Sequence, residues 1–331
     1  MAMLKTMRAR LLRPALLPVL GSSIGLTVVV WLGVHYVLTR EPVTELPGVQ
    51  QLAQPIPPRH LFSFAGVDAP VGVAVTPDGQ RIYVAEGGGD RFVKVFDRDG
   101  HAMAELAPPD SQAATRNPGG IALDAEGSLY VADRLRAAVD VYNPGLKWTG
   151  VFRPDVVESL KGWLPNGVSV GPEGRLYVTD IGHNEHDVLV MRMDGTLVGR
   201  LGKSTGLPGG LTYPVQAVSD DAGRVYVSDG NTARVLAISS RGNAIVGVVG
   251  PESLGLPRGL AISNGKLFVA DSRANRVVVF AVGDQPQYLY GFGDGGGGVE
   301  GLAYPNAVAV DRSGRVYVAD RANDRVQVWT Y

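Results

Sequence analysis

The 331-residue chain contains no cysteine. That excludes disulfides, thiolate metal sites, cysteine nucleophiles and covalent haem attachment, and it suits an extracytoplasmic location without requiring one. Histidine is scarce too, with five in the chain: His35, His60, His101, His183 and His186. No His-Glu-x-x-His zinc motif occurs, and the three Gly-x-Ser-x-Gly matches, at residues 21–25, 167–171 and 202–206, do not join a strand-like run to a helix, so none reads as a nucleophile elbow. Two glycine runs, Gly87 to Gly89 and Gly295 to Gly298, follow strand-like segments and open no helix, so they read as loops and not as phosphate cradles. A basic balance is also missing. Residues 1–41 carry five Lys/Arg against one Glu, a charge of +4, and the whole chain is −1, which leaves −5 on the remainder. Gripping nucleic acid requires a basic face, so no nucleic-acid partner is expected.

What the chain does have is one phrase written six times. The copies are PVGVAVTPDGQRIYVAE (Pro70 to Glu86), PGGIALDAEGSLYVAD (Pro118 to Asp133), PNGVSVGPEGRLYVTD (Pro165 to Asp180), PVQAVSDDAGRVYVSD (Pro214 to Asp229), PRGLAISNGKLFVAD (Pro257 to Asp271) and PNAVAVDRSGRVYVAD (Pro305 to Asp320). The terminal acids lie 47, 47, 49, 42 and 49 residues apart. A four-stranded unit repeating at that period is the signature of a β-propeller blade, so the fold class is all-β with six blades. Within each copy an apolar run such as Val73-Ala74-Val75 suits a strand buried on both faces. An Asp/Pro/Gly turn closes a hairpin to a second strand rich in β-formers. A third strand alternates, as in Val326-Gln327-Val328-Trp329, and a fourth ends near a Gly-rich step.

These residues resemble the NHL repeat. The stretch from Tyr304 to Trp329, YPNAVAVDRSGRVYVADRANDRVQVW, matches that pattern nearly throughout, and the resemblance covers roughly residues 60–331. It implies the propeller fold and leaves function open, because one scaffold hosts binders and enzymes alike. The chain ends after its sixth third-strand, at Tyr331. The phrase at residues 61–66, Leu-Phe-Ser-Phe-Ala-Gly, reads as the missing outer strand, expected to close the last blade and remove its edge.

Residues 15–38 hold 24 positions without Lys, Arg, Asp or Glu. As a helix they would extend about 36 Å, enough for a hydrocarbon core of about 30 Å. The expectation is an uncleaved signal anchor, since no A-x-A-like cleavage site follows. Lys5, Arg8, Arg10 and Arg13 precede the span and only Arg40 follows closely. The positive-inside rule therefore places residues 1–14 as a cytoplasmic tail and the propeller outside a cell membrane crossed once. Residues 39–59 carry Pro42, Pro47, Pro55, Pro57 and Pro58 and read as a semi-rigid stalk of at most about 50–60 Å. The propeller is residues 60–331.

The six terminal acids, Glu86, Asp133, Asp180, Asp229, Asp271 and Asp320, invite a metal reading. An acid at the same place in every blade is better explained as a structural device, accepting from loop N–H groups and from Arg91, Arg234, Arg276 and Arg325 in four blades. Function is expected where symmetry breaks, at the channel mouth. The residues after each starting Pro include Asn166, Arg258 and Asn306, with Gln216 beside Val215. Propeller enzymes of similar fold, the amidoglycolate lyases and gluconolactonase-like hydrolases, bring His or acidic ligands to this end, and these positions offer neither. The polar set suits a partner or a small anionic or sugar-like ligand. Arg134, Arg136, Arg273 and Arg321 are expected on loops of the same face. The third blade's loop, residues 180–187, places His183 and His186 within four positions, a weak divalent-metal candidate beside a plain solvated or partner-contacting loop.

The reading is a membrane-anchored propeller acting as a binding or scaffold module for a protein partner, with no catalytic residues and no cofactor beyond a possible divalent metal. The alternatives are a metal-dependent extracytoplasmic lyase or lactonase-like hydrolase at the channel mouth, and a small-ligand sensor.

Overall fold

The computed structural model describes residues 56–155, 162–182, 186–202, 209–239, 244–250, 253–293 and 298–331. The expected tail, span and most of the stalk lie outside these residues. Among the described residues no helix is long and apolar enough to cross a membrane.

Six four-stranded antiparallel sheets account for twenty-four described strands. The first strand, β1 (Arg59–Phe64), belongs to the last sheet. Blade 1 is β2 (Pro70–Val75), β3 (Arg81–Glu86), β4 (Val93–Asp97) and β5 (Ala102–Leu106). Blade 2 is β6 (Pro118–Leu123), β7 (Leu129–Asp133), β8 (Ala138–Tyr142) and β9 (Trp148–Phe152). Blade 3 is β10 (Pro165–Val170), β11 (Arg175–Asp180), β12 (Asp187–Arg192) and β13 (Leu197–Gly202). Blade 4 is β14 (Pro214–Ser219), β15 (Val225–Asp229), β16 (Arg234–Ile238) and β17 (Ile245–Val249). Blade 5 is β18 (Pro257–Ser263), β19 (Lys266–Asp271), β20 (Arg276–Ala281) and β21 (Gln287–Phe292). Blade 6 is β22 (Pro305–Val310), β23 (Val316–Asp320) and β24 (Arg325–Thr330), completed by β1. The pairing of β1 with β24 runs from Arg59 opposite Thr330 to Phe64 opposite Val326.

The core lies between blades. Each described apolar cluster joins two neighbours: Tyr177, Val188 and Leu201 of blade 3 pack on Val227, Leu236 and Ile238 of blade 4. Equivalent clusters join blades 1 and 2, 2 and 3, 4 and 5, 5 and 6, and 6 and 1, so burial continues around the ring. The second strand of every blade is buried almost throughout, which explains its Val, Ile, Leu and Tyr content.

Candidate functional site

Every inner strand begins with proline, which has no N–H to give its ladder. Directly after it the register with the second strand slips, between Pro70 and Gly72, Pro118 and Ile121, Pro165 and Gly167, Pro214 and Gln216, Pro257 and Leu260, and Pro305 and Ala307. A bulge re-aims the residue it contains. Here the residues after the prolines, Val71, Gly119, Asn166, Val215, Arg258 and Asn306, line one end of a central cavity of about 340 Å³. Neighbouring inner strands also approach closely there. A Cβ on Gly167 would lie 2.1 Å from the Val215 carbonyl oxygen, so only glycine fits that seam without movement.

The mouth amides are latches between blades. Asn166 Nδ2 donates to the Pro214 carbonyl of the next blade at 3.0 Å, and Gln216 Nε2 donates back to Val168 at 2.9 Å. Asn306 Nδ2 donates to Val71 at 2.7 Å, joining blade 6 to blade 1. The arginines are differently placed. Arg134, Arg258 and Arg321 all line the cavity and are half-buried. Arg134 Nη1 donates to the Tyr213 hydroxyl at 3.1 Å, and Arg321 lies over the Tyr304 ring at 5.7 Å. The Arg258 guanidinium has no hydrogen-bond partner among the described residues, and its Nε is buried. Arg136 does not line the cavity. Its Nε pairs with buried Asp140 at 3.0 Å, and Asp140 also accepts from Trp148. Arg273 is exposed beside the mouth loops.

Tyr213 and Tyr304 were not among the sequence candidates. The signal available was that only these two repeats place tyrosine directly before the starting proline. Leu135, between Arg134 and Arg136, is another: it is 56% exposed, an apolar side chain on the same loop.

The six acids are buried and hold the chain segment leading into their own blade. Glu86 accepts from Asp68 N–H, Asp133 from Asn117, Asp180 from Leu164, Asp229 from Thr212 and Tyr213, Asp271 from Gly255 and Leu256, and Asp320 from Ala303. Arg234 and Arg325 also reach Asp229 and Asp320, at 2.9 and 2.7 Å. Arg91 and Arg276 do not behave so. Arg91 donates to the Arg116 carbonyl at 2.8 Å and Arg276 to the Ser253 carbonyl at 3.0 Å, while Glu86 pairs with Lys94 at 3.0 Å. Burial pushes the carboxyls of Asp133 and Asp180 above the ordinary carboxylate range, against the lowering effect of their N–H donors.

At the other end of the inner strands a second cavity, about 880 Å³, is bordered by Asp124, Glu126, Asp220 and Asp221 together with Arg224. Asp124 and Asp220 accept from the Tyr130 and Tyr226 hydroxyls, and Asp311 accepts likewise from Tyr317. The channel is thus cationic at one mouth and acidic around the other. Of the histidine pair, His183 lies outside the described residues and His186 meets the Tyr213 ring edge-on, centroids 6.3 Å apart. Among the described residues no group of three His, Cys, Asp or Glu is placed to hold a metal ion.

Fold and mouth together define a six-bladed β-propeller with a polar, arginine-bearing channel. The NHL repeat family model matches residues 254–280 and 302–329. A search of curated proteins gives no match. Among solved structures the chain is similar to virginiamycin B lyase from Staphylococcus aureus, at 14% identity and a TM-score of 0.57 over 83% of this chain and 99% of that one. It is also similar to Kuenenia stuttgartiensis hydrazine synthase, at 15% identity and 0.55 over 84% and 99%. U3-55K gives 11% identity and 0.58 over 83% and 100%. At such identities the likeness shows the fold alone.

Proposed function

We propose that this protein is a non-catalytic binding propeller that receives a protein partner on its arginine-bearing mouth face. The observation that carries the reading is the set of side chains there without an ionic partner. Arg258, Arg273 and Arg321 have no carboxylate within ion-pair distance among the described residues, although many other arginines of the propeller pair with acids or backbone carbonyls. Exposed Leu135 adds one apolar contact to this polar surface. Cationic side chains around an isolated apolar spot suit a polar, non-obligate interface in which charge sets orientation and rate. The mouth amides, committed between blades, keep the surface rigid, so little ordering cost falls on binding. Neighbours in fold include chains from a nidogen/laminin complex and a mitotic checkpoint complex, which makes partner binding a natural use of the scaffold.

We place residues 15–38 as a membrane anchor with the propeller on the outer side of the cell membrane, from the uncharged run and the basic residues that precede it. The test is to extract the full chain from native membranes in mild detergent and identify what co-purifies stoichiometrically. A defined partner that is lost in Arg273→Glu and Leu135→Glu supports the reading. A partner retained equally by both variants sinks it. Protein that comes out alone with tightly bound divalent metal would favour the lyase or hydrolase alternative instead.

A further inference from the structure

The arginine mouth opens into a channel walled by the inner strands of the blades. Arg134, Arg258 and Arg321 line a cavity of about 340 Å³ there, while Ile121, Val168, Leu260 and Val308 of the same inner strands are buried in the inter-blade cores. That volume lies at the lower end of the range of about 300–1,000 Å³ seen for small-molecule sites. These arginines come from blades 2, 5 and 6, and among the described residues no carboxylate lies within ion-pair distance of any of them. Among the described residues Arg258 has none of its donors engaged, Arg321 meets the Tyr304 ring and makes no side-chain hydrogen bond, and Arg134 uses one donor on Tyr213 while its Nε–H is buried and unpaired. Arg116 and Arg276 also carry a buried unpaired Nε–H, but their terminal nitrogens donate to the Asp90 and Ser253 carbonyls and neither lines the channel. Like charges gathered at a low-dielectric cleft repel one another and focus the field on an incoming anion. A guanidinium fork matches the geometry of a carboxylate or phosphate, and its charge-assisted hydrogen bonds strengthen away from water.

The far end sets the direction. Asp124 lines the opposite end of the channel, and Glu126, Asp220 and Asp221 border the cavity beyond it. An anion is therefore held at the arginine end and turned back at the other. The mouth amides do not compete for it, since Asn166, Gln216 and Asn306 turn their NH2 groups to neighbouring carbonyls.

We propose that the channel mouth is a binding site for a small anion, with its carboxylate or phosphate group on Arg258, Arg321 and Arg134. This goes beyond partner docking, and neither Arg273 nor Leu135, on which the docking test turns, lines the channel. The experiment is calorimetric titration of the full chain in mild detergent with phenyl phosphate, inorganic phosphate and phenol. Phenyl phosphate and inorganic phosphate should each bind at one site, and phenol, which has the ring without the anionic group, should not. Arg258→Gln and Arg321→Gln should each weaken anion binding about tenfold or more, the effect of losing a charge-assisted hydrogen bond. Among the described residues neither arginine pairs with an acid, so both variants should keep the wild-type unfolding midpoint, and Arg321→Lys should retain part of the affinity. Arg273→Gln should bind as the wild type does. No binding of either anion, phenol binding as tightly as phenyl phosphate, or binding undiminished in both glutamine variants would overturn the proposal.

Discussion

Thr179 shows how single side chains hold neighbouring blades in register. Its hydroxyl receives the Gly167 N–H at 2.7 Å and donates to the Val215 carbonyl of the next blade at 3.1 Å. Ser228 repeats the arrangement one blade on, accepting from Gln216 N–H and donating to the Arg258 carbonyl. Both bonds end on backbone at the channel mouth, so they fix the residues that line it. Thr179→Val keeps the shape and removes the hydroxyl, leaving a buried N–H and a buried carbonyl without their partner. The expected loss is about 1–3 kcal/mol, read as a lower urea midpoint with unchanged slope. Gly167→Ala attacks the same seam by volume. Its new methyl would meet the Val215 oxygen at 2.1 Å, and because the neighbour is backbone the strand itself must shift. A cost of about 1–3 kcal/mol or more is expected. The two substitutions share a partner, so the double variant should lose less than the sum of the singles. Additive losses would show that the seam does not act as one unit.

At the scale of the element, the second strand and the segment leading into its blade are tied by the terminal acid. Asp133 and Asp180 do this with N–H donors alone, and burial raises both carboxyls above their ordinary value of 3.8. A carboxyl that holds its proton more tightly in the folded chain favours folding while protonated. That contribution is present below the ordinary value and is lost as pH rises through the raised one. The stability of wild type minus that of Asp133→Asn or Asp180→Asn should therefore fall from about pH 4 upward through the mildly acid range, measured by thermal unfolding at each pH. A difference that stays flat or grows would contradict the burial argument. The acids were readable as a device because all six copies carry one at the same place, and a functional site seldom repeats around a ring. Their arginine partners were only half readable. Arg91 has a left-handed φ of 55°, as do Ala233, Asn275 and Asp324 at φ of 52°, 53° and 50°. It is thus the turn residue of its blade, one step out of register with Arg234 and Arg325, and its side chain departs toward Arg116. Arg276 is in register opposite Asp271, but Gly255 and Leu256 N–H groups already occupy both carboxylate oxygens. The latching role of the mouth amides needed the relative height of adjacent inner strands, which spacing within one repeat does not contain.

Over the whole molecule the ring depends on one non-local join. The other blades are built from consecutive strands, whereas blade 6 takes its outer strand from the far end of the propeller sequence. That strand also packs forward: the Phe64 ring lies 4.8 Å from Phe96 of blade 1, within the cluster that joins blades 6 and 1. Opening β1 would expose the edge of β24 and uncover one inter-blade core together, so this is where the ring should yield first. Phe64→Ala is expected to cost about 3–5 kcal/mol. Leu236→Ala, at the core between blades 3 and 4, removes a side chain of comparable burial at an expected cost of about 2–5 kcal/mol and serves as its control. Amide hydrogen exchange on the full chain separates the two cases. With Phe64→Ala, protection should fall in β1, β24 and β4 while β11 and β15 keep theirs; Leu236→Ala should loosen β12 and β16 and spare β24. Identical patterns in the two variants would mean that the blades open as a single cooperative unit. In that event the β1 join would be no weaker than any other seam of the ring.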